Sequence, residues 1–90
     1  MQNIIYKIEW KKVAEDNLNK IPSEVALKIY NKVENYLAQS PKELGKALVG
    51  KYSGLYRYRY GDYRIIYEID KTNKILIINM VGHRSDVYSS

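Results

Sequence analysis

Residues 56–64 read Tyr-Arg-Tyr-Arg-Tyr-Gly-Asp-Tyr-Arg, and that alternation leaves little room for anything but a β-hairpin. Side chains of a strand point alternately to its two faces, so strict Tyr/Arg alternation puts the tyrosines on one side and the arginines on the other. Gly61-Asp62 is a two-residue loop with glycine at the first central position, the requirement of a type II′ turn. Pairing Tyr60 with Tyr63 across that turn predicts the remaining register. Arg59 falls opposite Arg64 and Arg57 opposite Ile66, while Tyr58 meets Ile65 and Tyr56 meets Tyr67 on the other face. Like charges directly opposed destabilise a sheet, so the arginine face calls for an anionic partner.

Net charge sharpens that expectation. The 90-residue chain carries +5 at neutral pH. Residues 1–45 contribute +1 of this and residues 46–90 contribute +4, so the excess lies with the hairpin. Such a basic region fits a nucleic acid or an acidic protein; a merely solvated basic surface is the alternative. The length suits one domain spanning residues 1–90. The absence of cysteine excludes disulfides, thiolate metal sites and cysteine catalysis. One histidine without clustered carboxylates predicts no metal site and no cofactor. No apolar run approaches a membrane span and Met1–Ile4 lacks signal-peptide character, so no membrane association and a cytoplasmic location are expected.

The remaining segments predict an α+β fold. Ile4-Ile5-Tyr6-Lys7-Ile8 reads as a first strand. Residues 11–19 favour helix, with Val13, Ala14 and Leu18 as the apolar stripe. Pro22 suits the start of a second helix, along which Val25, Ile29, Val33, Tyr36 and Leu37 recur at helical spacing. Pro41 predicts its end near Ser40. Residues 40–52 read as a loop bearing Lys42, Lys46 and Lys51. Strands at 55–60, 63–70 and 74–81 follow, with turn chemistry in Lys71-Thr72-Asn73. Ile75-Leu76-Ile77-Ile78 is apolar on both faces, which marks a central strand. The expected architecture is an antiparallel sheet, made of the N-terminal strand and a C-terminal three-strand meander, with the helix pair packed on one face.

This packing assigns the hairpin's faces. Tyr58, Tyr60, Tyr63, Tyr67, Ile65 and Ile69 share parity and belong under the helices. The tyrosines as a base-stacking platform are the alternative, but parity with two isoleucines favours core. The outer face then carries Arg57, Arg59, Arg64, Ile66 and Glu68.

The last strand runs into Val81-Gly82-His83-Arg84-Ser85-Asp86-Val87-Tyr88. With Gly54–Ile69, this ending resembles the RelE/ParE superfamily of bacterial and archaeal toxin–antitoxin toxins, over nearly the whole chain. The final Asp86-Val87-Tyr88 is similar to the RelE branch, mRNA interferases that cleave mRNA in the ribosomal A site. ParE-type toxins share the fold but target DNA gyrase. The resemblance implies a metal-independent endoribonuclease using the RNA's own 2′-hydroxyl as nucleophile. It also implies a RelB-like antitoxin as partner, and mRNA and rRNA as contacts on the ribosome. The alternatives are a gyrase inhibitor and a catalytically weak homologue that mainly binds antitoxin or RNA.

By the same resemblance, Arg57 and Arg59 occupy positions of basic residues that contact and activate substrate. Arg64 matches a phosphate-stabilising arginine, Arg84 the basic residue after the last strand, and Tyr88 a tyrosine that stacks on the nucleotide or exchanges protons with it. A guanidinium fork suits phosphate, and several together favour a developing dianion over a monoanion. The best-known RelE enzymes have lysine at the first two positions. Arginine stays protonated and is a poor base, so weak activity is expected and the proton acceptor is unassigned. His83, the one imidazole, is a candidate for that proton transfer, or else a structural histidine; strict alternation along the last strand puts it on the arginine face, unless Gly82 breaks the parity. Lys46 and Lys51 read as phosphate-tracking residues, or else as a solvated loop. Glu68 reads as a charge balancer for Arg57 or Arg64.

Overall fold

The computed structural model describes residues 5–83. Within them the chain runs β1 (Lys7–Trp10), α1 (Lys12–Asn19), α2 (Ser23–Asn35), α3 (Pro41–Leu44), β2 (Lys46–Ala47), β3 (Tyr56–Tyr60), β4 (Tyr63–Asp70) and β5 (Ile75–His83). The described strands form one sheet in the order β1-β5-β4-β3-β2. The α+β class and the central position of β5 agree with the sequence reading. The all-antiparallel expectation needs correction: β1 runs parallel to β5, with Lys7 opposite Ile75 and Trp10 opposite Ile78. A parallel neighbour needs a long crossover, and α1 and α2 begin it.

Two other differences lie between α2 and β3. The second helix stops at Asn35, and a 3₁₀ turn at Leu37–Gln39 precedes α3, which has Pro41 in its first turn. The predicted loop contains α3, β2 and a second 3₁₀ turn at Gly50–Tyr52. The strand β2 is only two residues long, too short for periodicity to reveal. It pairs antiparallel with β3, setting Lys46 opposite Arg57.

The hairpin follows its expected register at every position, from Tyr56–Tyr67 to Tyr60–Tyr63. Gly61 has φ +58°. Asp62 does not share the positive φ, as a type II′ turn requires. The β4–β5 turn is held by Asp70, whose carboxylate accepts hydrogen bonds from the Asn73 backbone N–H and side-chain amide, both at 3.0 Å. These bonds hold the carboxyl below the usual range.

Core packing confirms the face assignment. Ala14 of α1, Ile29 and Val33 of α2 and Leu37 are fully buried against Ile65, Tyr67, Leu76 and Ile78 of the sheet. Tyr56, Tyr58, Tyr60 and Tyr63 pack on the same cluster. Tyr36 reaches the Tyr58 ring at 6.2 Å, and burial raises the Tyr58 phenol pKa. The tyrosines are core, not a platform. Val13, expected on the apolar stripe, is more than half exposed.

One irregularity decides the faces of β5. Ile66 pairs with Met80 but Tyr67 pairs with Ile78, leaving Asn79 as an extra residue. This β-bulge reverses the parity of everything after it. Leu76, Ile78 and Val81 therefore all reach the core.

Candidate nucleic-acid interface

Register places the basic side chains on the sheet face away from the helices, in two rows. One row runs Lys46, Arg57, Ile66, Met80 across β2 to β5. The next runs Arg59, Arg64, Gly82. Directly opposed residues have Cβ atoms about 5 Å apart and diagonal ones are still within reach of a long side chain. Arg57, Arg59 and Arg64 thus form one cluster, with Lys46 beside it.

The arginines differ in setting. Arg59 is exposed and Arg57 half-buried. Arg64, on the inner strand β4, retains only 6% exposure. Its Nη1 donates to the Tyr63 carbonyl at 3.4 Å. Glycine at 82, its cross-strand neighbour, adds no side chain to compete for that space. A charge taken out of water interacts more strongly with whatever ion approaches it. Arg64 is the most buried cation of the patch, with Arg57 and Arg59 around it.

Glu68 lies on this face too, but its carboxylate pairs with Lys11 Nζ at 3.8 Å rather than with the arginines it was expected to balance. The two expected lysines separate. Lys46 joins the arginine rows through β2. Lys51 sits in the 3₁₀ turn with its ammonium 5.3 Å from the Tyr52 ring centre.

His83 corrects the strict-alternation reading. It pairs with Tyr63 and so lies on the tyrosine side, its ring edge-on to Tyr63 at 5.7 Å and 81°. The parity break comes from the bulge at Asn79 rather than from Gly82. Arg84 and Tyr88 lie outside the described residues.

Two contributors were missed by sequence reasoning. Tyr67 is fully buried, and its hydroxyl donates to the Pro41 carbonyl at 2.7 Å, which ties the segment bearing Lys46 to the core. Asn17 of α1 accepts a hydrogen bond from the Val81 N–H at 3.0 Å, on the edge of β5 beyond the end of β1. These partners are 26 and 64 residues apart, and no local pattern announces either.

Comparison with known proteins agrees with this architecture. A family model described as the ParE toxin of the type II toxin–antitoxin system parDE matches residues 8–88. Toxin RelE of Mycobacterium tuberculosis is 31% identical over 92% of this chain and 86% of its own. Toxin RelG of the same organism is 29% identical over 92% of this chain and 95% of its own. The M. tuberculosis toxin–antitoxin complex RelBE2 contains a chain that superposes with a TM-score of 0.86 at 27% identity, covering 90% of this chain and 100% of that one.

Proposed function

The chain belongs to the ParE toxin family of type II toxin–antitoxin systems, within the RelE/ParE superfamily, and on that premise we propose that this RelE-type toxin cuts mRNA on the ribosome. The observation that carries this reading is the placement of Arg59 and Arg64 beside Arg57 and Lys46 on one sheet face. Four cations on one face draw a polyanion such as RNA.

Cleavage by the RNA's own 2′-hydroxyl requires a proton to leave that oxygen, charge to be neutralised on a phosphorane, and a proton to reach the departing 5′-oxygen. The products are a 2′,3′-cyclic phosphate and a 5′-hydroxyl. Arg64 holds the scissile phosphate, and Arg57 and Arg59 neutralise the charge that grows on it. Lys46 follows the backbone to one side, and Lys51, whose ammonium lies against Tyr52, contributes less. Arg84 adds a further cation and Tyr88 exchanges the proton, roles that rest on the family resemblance. His83 is assigned no proton transfer, because it shares the tyrosine face. Guanidinium groups in place of amines give strong phosphate binding and slow proton transfer, so positioning by the ribosome supplies much of the rate.

The partner is an antitoxin of RelB type that covers the basic face with an acidic or amphipathic segment. Support comes from the RelBE2 toxin, solved as a toxin–antitoxin complex. Inducing the chain without antitoxin, while mapping RNA 5′ ends and following DNA supercoiling, tests the proposal. Cuts inside translated codons with 5′-hydroxyl ends are expected. Loss of supercoiling without such cuts would overturn it.

A further inference from the structure

A second basic feature lies on the helix side of the sheet, away from the arginine rows. The C-terminal half of α2, Tyr36 just beyond it and the last residue of β3 enclose a groove of about 250 Å³. Its lining is Lys28, Asn31, Lys32, Asn35, Tyr36 and Tyr60. We propose that this groove binds the phosphates and 2′-hydroxyls of an RNA backbone, separately from the RNA on the arginine face. The proposal rests on the reading of the chain as an RNA-directed toxin and gives that toxin a second contact surface. It requires no path between the two faces.

Charge is the first argument. Residues three and four apart share one side of a helix, with Cβ atoms about 5–6 Å apart. Lys28 and Lys32 therefore stand side by side, an arrangement that costs a helix stability. Neither has an ion-pair partner among the described residues. The carboxylates nearest along the chain, exposed Glu24 and Asp62, leave both lysines unpaired. Glu34 lies about 200° around the helix from Lys32, where it accepts a hydrogen bond from Trp10 Nε1 at 3.3 Å. The helix thus gathers its lysines at the groove and turns this acid away from it. Lys32 Nζ lies 4.8 Å from the centre of the Tyr36 ring. That ring is itself a wall of the groove, so the contact keeps the ammonium there.

Hydrogen bonding is the second. Asn31 and Asn35 repeat at the same four-residue spacing, interleaved with the lysines, and both are exposed. Their side-chain amides bond to no other described residue. An amide both donates and accepts, as a 2′-hydroxyl does. Phosphates and 2′-hydroxyls are what an RNA duplex displays across its minor groove. An acidic peptide would use the lysines but set its carboxylates against the amide carbonyl oxygens, so RNA is the better occupant.

The test uses the full chain with a short RNA duplex, a DNA duplex of the same sequence and a polyglutamate peptide, read by amide chemical shifts and by binding across a salt series. The RNA duplex should shift Asn31, Lys32, Asn35 and Tyr60, and bind more tightly than the DNA. Asn31→Ala/Asn35→Ala should erase that preference. Lys28→Ala/Lys32→Ala should lower the slope of log binding constant against log salt by about one to two, for one or two lost phosphate contacts. Its melting temperature should stay within a few degrees of the parent. Lys71→Ala, which removes an exposed charge just past the far end of β4, should leave the slope near its parental value. An equal effect per charge from Lys71→Ala, an RNA preference untouched by the asparagine variant, or groove shifts with polyglutamate alone would overturn the site. Codon cuts together with an unchanged slope in the lysine variant would overturn it too and leave the cleavage reading standing. A groove that passes these tests in a toxin making no codon cuts would uphold the site and sink the cleavage reading instead.

Discussion

The Tyr67 hydroxyl fills the space that a side chain on Gly45 would need, while it donates to the Pro41 carbonyl at 2.7 Å. That contact joins the centre of the sheet to the segment that begins α3 and continues into β2. Gly45→Ala should therefore overpack the site and cost about 1–3 kcal/mol in denaturant unfolding. Tyr67→Phe alone should cost about 1 kcal/mol through the lost hydrogen bond. The double variant should be more stable than the sum of the two, because the phenyl ring relieves part of the clash. Strict additivity would mean the two residues do not meet.

The same tyrosine predicts an alkaline limit. Burial, with Tyr56 and Tyr58 adding to it, pushes the Tyr67 phenol well above its usual value near 10. In the unfolded chain it ionises first, so between the two values the folded state holds the extra proton. Stability is complete below pH 10 and falls as pH rises beyond it, by at most about 1.4 kcal/mol per pH unit for this group. Tyr67→Phe should flatten that decline in melting temperature between pH 9 and pH 11. An unchanged slope would contradict the burial argument.

Arg59 opposes Arg64, so replacing the exposed member should help folding while harming binding. Arg59→Gln should gain a few tenths of a kcal/mol at low salt. Its affinity for single-stranded RNA should drop at the same time. A variant that loses both stability and binding would show that the pair is not repulsive.

Lys46 and Lys51 should separate in a salt titration. Lys46→Ala should lower the slope of log binding constant against log salt by about 0.7, the value for one phosphate contact on single-stranded RNA. Lys51→Ala should change it less, since the Lys51 ammonium lies against Tyr52. Equal effects would place both lysines on the RNA track.

Glu68→Gln tests the charge of the arginine face. The Lys11 pair it breaks is about half exposed, so stability should stay within about 0.5 kcal/mol. RNA binding at low ionic strength should tighten about twofold, and the gain should vanish at high salt.

The hairpin was legible because its information is local. A two-residue turn sets the register, and period-2 alternation then sends each side chain to its face, so Arg57, Arg59 and Arg64 could be grouped from residues 56–64 alone. The lysine on β2 was not legible in the same way. A two-residue strand has no period, and it is a strand only because β3 offers it an edge.

By itself the sequence determined the α+β class, the tyrosine core and the shared face of the three arginines, since amphipathic period and turn chemistry act over a few residues. Tertiary structure alone decided the parallel pairing of β1 with β5 and the place of Lys46 beside Arg57. It also decided on which side of the sheet His83 emerges. The physical reason is the bulge at Asn79: one extra residue inverts every later side chain, and whether a strand bulges depends on how its neighbours pack, not on its own pattern.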